Sequence, residues 1–487
     1  MSPLRRFLVV VALLVGTFLA SLDVMVLGTA MPTIIADLGG LPLYGWVFAA
    51  YLLTSTTTVP IYGKLADRWG RKPTFLLGAG IFLAGSVACG LSTSMPALIG
   101  SRAIQGLGAG AIIPVTMTLF GDLFHAEQRV KLQGAFSVVW GVSSVAGPIV
   151  GGAIVERWPW PWVFYINLPI GLLACGVLAL ALHENIPRRA EPVDWLGALL
   201  LTASISSLLT GFTLLDQRNL ELALPALAAV PVLAALFVLA ERRARDPIVP
   251  LGLFRDRVIA VSTATGVFLG GALFPTVAFL PLLMRGVHGD SPTLAGASIT
   301  PLSVTWTLTT FAASPLILRA GYRTAIWSGS AALVVGTTLA AASAWTGFRS
   351  LAYAGTTAIG AGMGLIMTSQ NVVIQDRVGW AQRGSATALL LFSRSVGGTI
   401  FVSSFGLIMA AHLANSLQGL PVAPDPNALI DPDQWSDIDP TVLAPARDAL
   451  RRALGVVLAL VMACSWAVMV GNVFFPDVRP ERKGDAA

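Results

Sequence analysis

The sequence predicts an all-α membrane protein with fourteen transmembrane helices and both termini cytoplasmic, and three observations predict it. Of 487 residues, 55% are hydrophobic and only 11% charged, against about 25% charged in soluble domains. A mean hydropathy of +0.76 over the whole length means that apolar runs recur along the chain and do not form a single anchor. Lys and Arg alternate between the gaps in the way that cytoplasmic loops impose.

Fourteen runs approach the about 20 apolar residues that a span requires. The first seven cover Phe7 to Ala30, Tyr44 to Tyr62, Thr74 to Leu91, Ala97 to Phe120, Leu132 to Val155, Trp162 to Leu182 and Trp195 to Leu215. The second seven cover Leu222 to Ala240, Val258 to Met284, Leu294 to Leu318, Thr324 to Trp345, Leu351 to Ser369, Ser385 to Leu413 and Ala453 to Phe475. Starting inside at Arg5 and Arg6, the even-numbered gaps and the tail hold 22 of the 31 Lys and Arg, the opposite gaps hold 7, and Arg102 and Arg394 fall within spans. An extra or missing helix would scramble that bias. The basic start "MSPLRR" resembles a signal peptide, but the apolar run outlasts a core region of about 7 to 15 residues and no small-x-small cleavage site precedes Asp23. A retained first helix is expected.

Several classes are excluded. The basic residues form no stripe for nucleic acid. Cys89, Cys175 and Cys464 are scattered in apolar runs, and His125, His183, His288 and His412 near span ends show no metal spacing. No catalytic or phosphate-binding loop motif appears, so neither an enzyme nor an ATP-driven pump is expected. The loop 414–446, with "PDPNALIDPDQWSDIDP", is acidic and expected to be external; it reads as a solvated segment or a cation vestibule.

An internal repeat sets the domain organisation. "GKLADRWGRKP" follows span 2 and "SPLILRAGYRT" follows span 10, aligning Arg68 with Arg319, Gly70 with Gly321 and Lys72 with Arg323. Gly134 and Gly147 are spaced as Gly384 and Gly397 are. The expected division is a six-helix bundle at 1–190, two inserted helices and a linker at 191–256, a second six-helix bundle at 257–478 and a cytoplasmic tail at 479–487.

The intramembrane charges carry the chemistry. Asp23, in "LASLDVMVLGTAMP", sits about 24 Å above the inner edge of a core about 30 Å thick. Arg102, in "SRAIQGLGAGAIIP", lies about 7 to 8 Å below the outer edge, at a similar level. A membrane Arg costs about 2.5 to 3.5 kcal/mol on insertion scales, so it either snorkels outward or faces a cavity or a partner; a direct or water-mediated coupling to Asp23 is expected. Arg394 is a third such charge, either held structurally by backbone carbonyls or facing an anionic substrate or a carboxylate. Gly106 and Gly110 have the small-xxx-small spacing of helix packing.

These motifs together resemble the major facilitator superfamily, and within it the fourteen-helix drug:proton antiporters. "GKLADRWGRKP" resembles the inner-gate motif, and Gly63, Asp67, Arg68, Gly70, Arg71 and Lys72 are its residues here; the resemblance implies that Asp67 and Arg71 latch the two halves in the outward-facing state. The fifth span, "GAFSVVWGVSSVAGPIVGG", resembles the antiporter motif through Gly134, Gly147, Pro148, Gly151 and Gly152, with Ser143 where the pattern has a glycine. "WPWPWVFYINLPIG" matches the sixth-span pattern and supplies an aromatic belt. In the first-span motif Asp23 and Pro32 are kept, while Met25, Gly28 and Thr29 replace the usual Thr, Asn and Val.

The resemblance implies proton-coupled efflux of lipophilic, often cationic compounds by alternating access, with Asp23 and Arg102 as the proton-coupling residues. Met25, Gln105, Trp306, Gln370, Asn371 and Arg394 are the candidate cavity residues, joined by Thr54 to Thr58. Protons, small lipophilic substrates and the bilayer are the expected partners, with no metal, no cofactor beyond a proton gradient, a monomeric state and a bacterial cell membrane. Export of a lipid, siderophore or metabolite by the same fold is the alternative, and a non-transporting membrane scaffold or receptor a more distant one.

Overall fold

A backbone polar group in hydrocarbon must find its partner within the chain, which leaves the helix as the economical solution for so apolar a sequence. The structure, a computed structural model, describes residues 2–39, 43–184, 194–216, 219–244, 247–290, 292–418, 429, 435 and 439–479. Among these, the long elements are all helices: α1 Pro3–Leu38, α2 Tyr44–Trp69, α3 Arg71–Gly90, α4 Met95–Leu123, α5 Ala126–Arg157, α6 Trp162–Tyr165, α7 Asn167–Ala181, α8 Trp195–Asp216, α9 Leu220–Arg243, α10 Arg257–Gly286, α11 Pro292–Ala297, α12 Thr300–Thr346, α13 Arg349–Arg377, α14 Arg383–Leu417 and α15 Pro440–Val473. Ten segments among the described residues are long and apolar enough to cross a membrane. The loop aspartates Asp425, Asp431, Asp433 and Asp437, the loop cations Arg188, Arg189, Arg218 and Arg245, the tail beyond residue 479 and the side chains of Thr29, Pro32 and Pro148 lie outside what is described.

Helix ends follow local chemistry. Ser94 caps α4 by accepting from the Ala97 amide, with Pro96 in the first turn. Asp256 and Asp439 cap α10 and α15 in the same way. The helices also depart from the expected spans. α13 continues to Arg377, which places Gln370 and Asn371 well inside the helix and not at its end. The sixth span is interrupted at Ile166, between α6 and α7. The tenth and eleventh spans are joined in α12, whose 47 residues would reach about 70 Å, more than twice the thickness of a bilayer core. Gly321 divides it, with a non-helical φ of 82° and ψ of 168°. Gly70, its counterpart in the repeat, separates α2 from α3 with φ 103° and ψ 161°. This region of backbone space is nearly restricted to glycine, so both turns reverse the chain by the same device.

The chain forms two compact units. The first comprises Met1–Leu208, Ala226–Arg255 and Ile374–Phe392, the second Leu209–Pro225, Asp256–Val373 and Ser393–Ala487. In the first, α4 is held between α2 and α3. A Cβ on Gly106 would strike Thr54 Oγ1 and the Tyr51 carbonyl, one on Gly110 would strike Thr58, and one on Gly108 would strike the backbone of α3. Among apolar chains in lipid such close approach supplies the packing that the hydrophobic effect does not. Phe75, Phe82, Phe120 and Leu13 fill the remaining core. The second unit packs α10, α12 and α15 around Leu280, Leu333, Leu454 and Val457, with a Thr337–Ser465 hydroxyl pair at 2.6 Å joining α12 to α15.

Gly321→Ala should therefore cost about 1 to 3 kcal/mol through backbone strain and lower the thermal midpoint in detergent. Gly80→Ala, in a helix with open space around the position, should leave the midpoint unchanged or raise it. Equal midpoints for the two variants would contradict the turn assignment.

Candidate functional site

Four helices of the first unit, α1, α3, α4 and α7, each contribute a side chain to one buried polar cluster. Asp23 is 3% exposed and Arg102 1%. Arg102 Nη1 donates to Asp23 Oδ2 at 2.6 Å. Gln105 Nε2 and Asn167 Nδ2 both donate to Asp23 Oδ1 at 2.8 Å. The same two amides donate to Ser86 Oγ, each at 2.8 Å. Arg102 and Gln105 stand three residues apart on one helical face, and a second Arg102 bond reaches Gln105 Oε1 at 2.5 Å. The guanidinium lies over the Tyr51 ring, 4.2 Å from its centroid. Each of these contacts of the carboxylate is with a donor, the pattern that an ionised acid requires. Asn167 Oδ1, buried in the same place, has no partner.

Asp23 and Arg102, expected to couple, are in direct contact, and the Arg102 side chain is buried. Gln105, expected to line a cavity, is instead wholly buried and bonded to Asp23 and Ser86. Sequence reasoning missed Ser86, Asn167 and Tyr51. Asn167 carried the one available signal, an amide opening α7 just after the aromatic turn of "WPWPWVFYINLPIG".

A second cluster forms at the α2–α3 turn. Asp67 accepts from the Gly384 and Ser385 amides at 2.8 and 2.7 Å and from Ser385 Oγ at 2.8 Å, which seats a carboxylate on the N-terminus of α14, its favourable end. Arg71, with no exposed surface, pairs with Asp67 at 3.2 Å and with Asp122 at 2.7 Å. It also donates to the Trp380 carbonyl at 2.8 Å and stacks on the Trp380 ring. Arg383 completes the group through Asp122 Oδ1 at 2.7 Å. Glu184 accepts from the amides of Arg71 and Lys72 at the start of α3, and Lys72 Nζ donates to the Ala179 carbonyl. Arg68 is half-buried, with Nε and Nη1 unpaired. Gly63 lets α14 approach so closely that a Cβ would lie 2.8 Å from the Gly384 carbonyl. Asp67 lies beyond the end of the second span, and burial pushes its carboxyl up to about 6, against the lowering pull of Arg71 and of the bonds from Ser385 and Gly384.

The remaining predicted residues fall into two places. In the first unit, α5 runs unbroken from Ala126 to Arg157. Ser143 there shares a 2.6 Å hydrogen bond with Ser21 of α1, which gives the serine a role that the glycine of the motif could not fill. A Cβ on Gly147 would strike Met25, so Met25 packs over that glycine. Gly134 and Gly151 are buried and Gly152 has open space around it. Thr54, Thr57 and Thr58 bond to helix carbonyls. In the second unit, Arg394 of α14 donates to Asn371 Oδ1 at 3.1 Å and Gln370 Oε1 at 2.9 Å, while Trp306 packs partly buried against the core. No group of His, Cys, Asp and Glu among the described residues has the arrangement of a metal site.

Comparison with known proteins agrees with this architecture. The profile of the Major Facilitator Superfamily matches residues 13–402. The chain is 35% identical over 419 residues to the multidrug transporter protein MdtP of Bacillus subtilis, covering 85% of this chain and 77% of that one. It is 33% identical over 420 residues to multidrug resistance protein 3 of the same organism, covering 84% and 80%. The solved proton:xylose symporter XylE superposes with a TM-score of 0.61 at 16% identity, covering 98% and 97% of the two chains, which shows a shared fold.

Arg102→Ala should strand Asp23 in the interior and cost about 3 to 5 kcal/mol, lowering the thermal midpoint. The pair replacement Asp23→Leu with Arg102→Met should recover most of that loss; no recovery would show that the charges do not interact. For Asp67 the folded value lies above the ordinary 3.8, so its ionised form costs stability in full above about pH 6 and the cost is relieved as pH falls toward 4. The midpoint of the wild type should therefore gain on that of Asp67→Asn as pH is lowered from 7 to 5 in scanning fluorimetry. A difference that does not change with pH would contradict the burial of Asp67.

Proposed function

The chain belongs to the major facilitator superfamily, and from that premise we propose that it is a proton-coupled exporter of lipophilic, often cationic small molecules that works by alternating access. The observation that carries the reading is the Asp23 cluster, a buried carboxylate surrounded by donors in a helix bundle whose relatives are named multidrug transporters. An intramembrane acid with a single strong partner is the element from which proton relays are made. When Asp23 takes a proton, its pull on Arg102 falls and the new O–H needs an acceptor. Asn167 Oδ1, buried and unpartnered, receives it after a turn of the amide. Arg102, left on Gln105 and the Tyr51 ring, is then the charge that biases the bundle toward its other conformation.

Substrate and proton alternate under this scheme. A proton loads on Asp23 from outside and is released inside, and each crossing supplies about 2.3 kcal/mol per 100 mV together with the pH term. The topology that fits is fourteen spans with both termini cytoplasmic: bundles at 1–190 and 257–478, the inserted pair at 191–256 and a tail at 479–487. The setting that fits is a monomer in a bacterial cell membrane, needing no cofactor beyond the gradient. The Asp67–Arg71–Asp122 cluster is the inner latch.

The test is ethidium transport in proteoliposomes with an imposed pH gradient. The wild type should move ethidium against its gradient and lose the activity on addition of a protonophore. Asp23→Asn should bind ethidium and fail to pump it. Full pH-driven transport by Asp23→Asn would sink the proposal.

A further inference from the structure

We propose that Arg394, in the second unit, binds an anionic group (carboxylate, sulfonate or phosphate) of the transported molecule, an inference that rests on the chain being a transporter. Arg394 is 5% exposed and stands eleven residues into α14, about 16 Å from its start. Its two acceptors are neutral side-chain amides, Asn371 Oδ1 and Gln370 Oε1. Nε is buried and donates to nothing. Among the described residues no carboxylate pairs with it, whereas the buried arginines of the first unit, Arg71, Arg102 and Arg129, all hold aspartates.

The described carboxylates of the surrounding sequence are engaged elsewhere. Between Asp256 and Asp477 the chain has no glutamate, and Asp290, Asp376 and Asp448 are engaged by Arg349, Arg129, and Arg451 with Arg452 respectively. The cationic head is nevertheless held in place. Gln370 is oriented by its own donation to Thr265 Oγ1 at 3.1 Å, and Gly270 lets α10 approach so closely that a Cβ there would meet the Arg394 backbone. A positive charge in an apolar bundle, fixed by two amides and with its buried Nε unpaired, lacks only a counter-charge among the described residues. A guanidinium binds planar oxyanions in a two-pronged mode, with two parallel N–H bonds. A snorkelling arginine would reach water, and a charge held by backbone would donate to carbonyls; Arg394 does neither. The favoured cargo thus includes amphiphiles with an anionic group, whether simple anions or zwitterions.

Binding to the purified full-length protein in detergent tests this, with carboxyfluorescein as the anionic probe and ethidium as the cationic one, both read by fluorescence anisotropy. The wild type should bind carboxyfluorescein saturably. Arg394→Gln should weaken that binding by at least about tenfold, as expected when one partner of a buried charge pair is removed, and leave ethidium binding within about twofold. Arg394→Lys, which keeps the charge, should retain most of the affinity and serves where the glutamine variant fails to fold. No saturable binding by the wild type, equal affinity in Arg394→Gln, or parallel loss of both probes would overturn the assignment. Ethidium transport by the wild type is unaffected by any of these outcomes and continues to report on the proton-coupled reading.

Discussion

A carboxylate and a guanidinium placed together out of reach of water determine much of the first unit. Removing either charge from solvent is costly, and the mutual attraction offsets that cost only with close geometry and further hydrogen bonds to the remaining lone pairs. The 2.6 Å contact of Asp23 with Arg102 therefore requires Gln105 and Asn167 on the second carboxylate oxygen and Ser86 to hold both amides. That requirement ties α1, α3, α4 and α7 together at one level. It also explains the glycines, since Gly106 and Gly110 bring α4 against α2 and put the Tyr51 ring within 4.2 Å of the guanidinium.

The second charged cluster of that unit is built on different physics. Asp67 sits on a helix N-terminus, and Arg71 is shared between Asp67 and Asp122. Its geometry depends on Gly70, because only a residue without a side chain turns the backbone through φ 103° and ψ 161° between two helices that would otherwise run on. Gly321 repeats the device in the second unit. Among the described residues, what the second unit lacks is a carboxylate for its buried arginine, and this asymmetry between two repeats of common design is the basis for assigning Arg394 to ligand.

Much of this was legible in the sequence, for reasons that can be stated. Hydropathy located the helices because length and apolarity are properties of single segments. Alignment of "GKLADRWGRKP" with "SPLILRAGYRT" identified Gly70 and Gly321 as equivalent because glycine-only backbone leaves a direct mark on sequence. Depth counting brought Asp23 and Arg102 to one level, since rise per residue is fixed. Ser86 was not visible, because a small polar residue in an apolar run looks the same whether it bonds its own helix or amides of two others, and Asn167 was marked only by its place at the start of α7. Asp122 was missed for a related reason: it is distant in sequence from Arg71, and nothing local marks it as the arginine's partner. The joining of spans 10 and 11 in α12 was hidden because a break of one residue leaves no loop to read.

The central claim is that the buried Asp23 carboxyl carries the proton that exchanges with substrate. Proton release on ligand binding measures this directly, with purified protein in weakly buffered detergent solution, a pH indicator, and ethidium added to saturation. The account predicts that the wild type releases a proton as ethidium binds and that Asp23→Asn binds ethidium with no release. Equal proton release by the two proteins would contradict it.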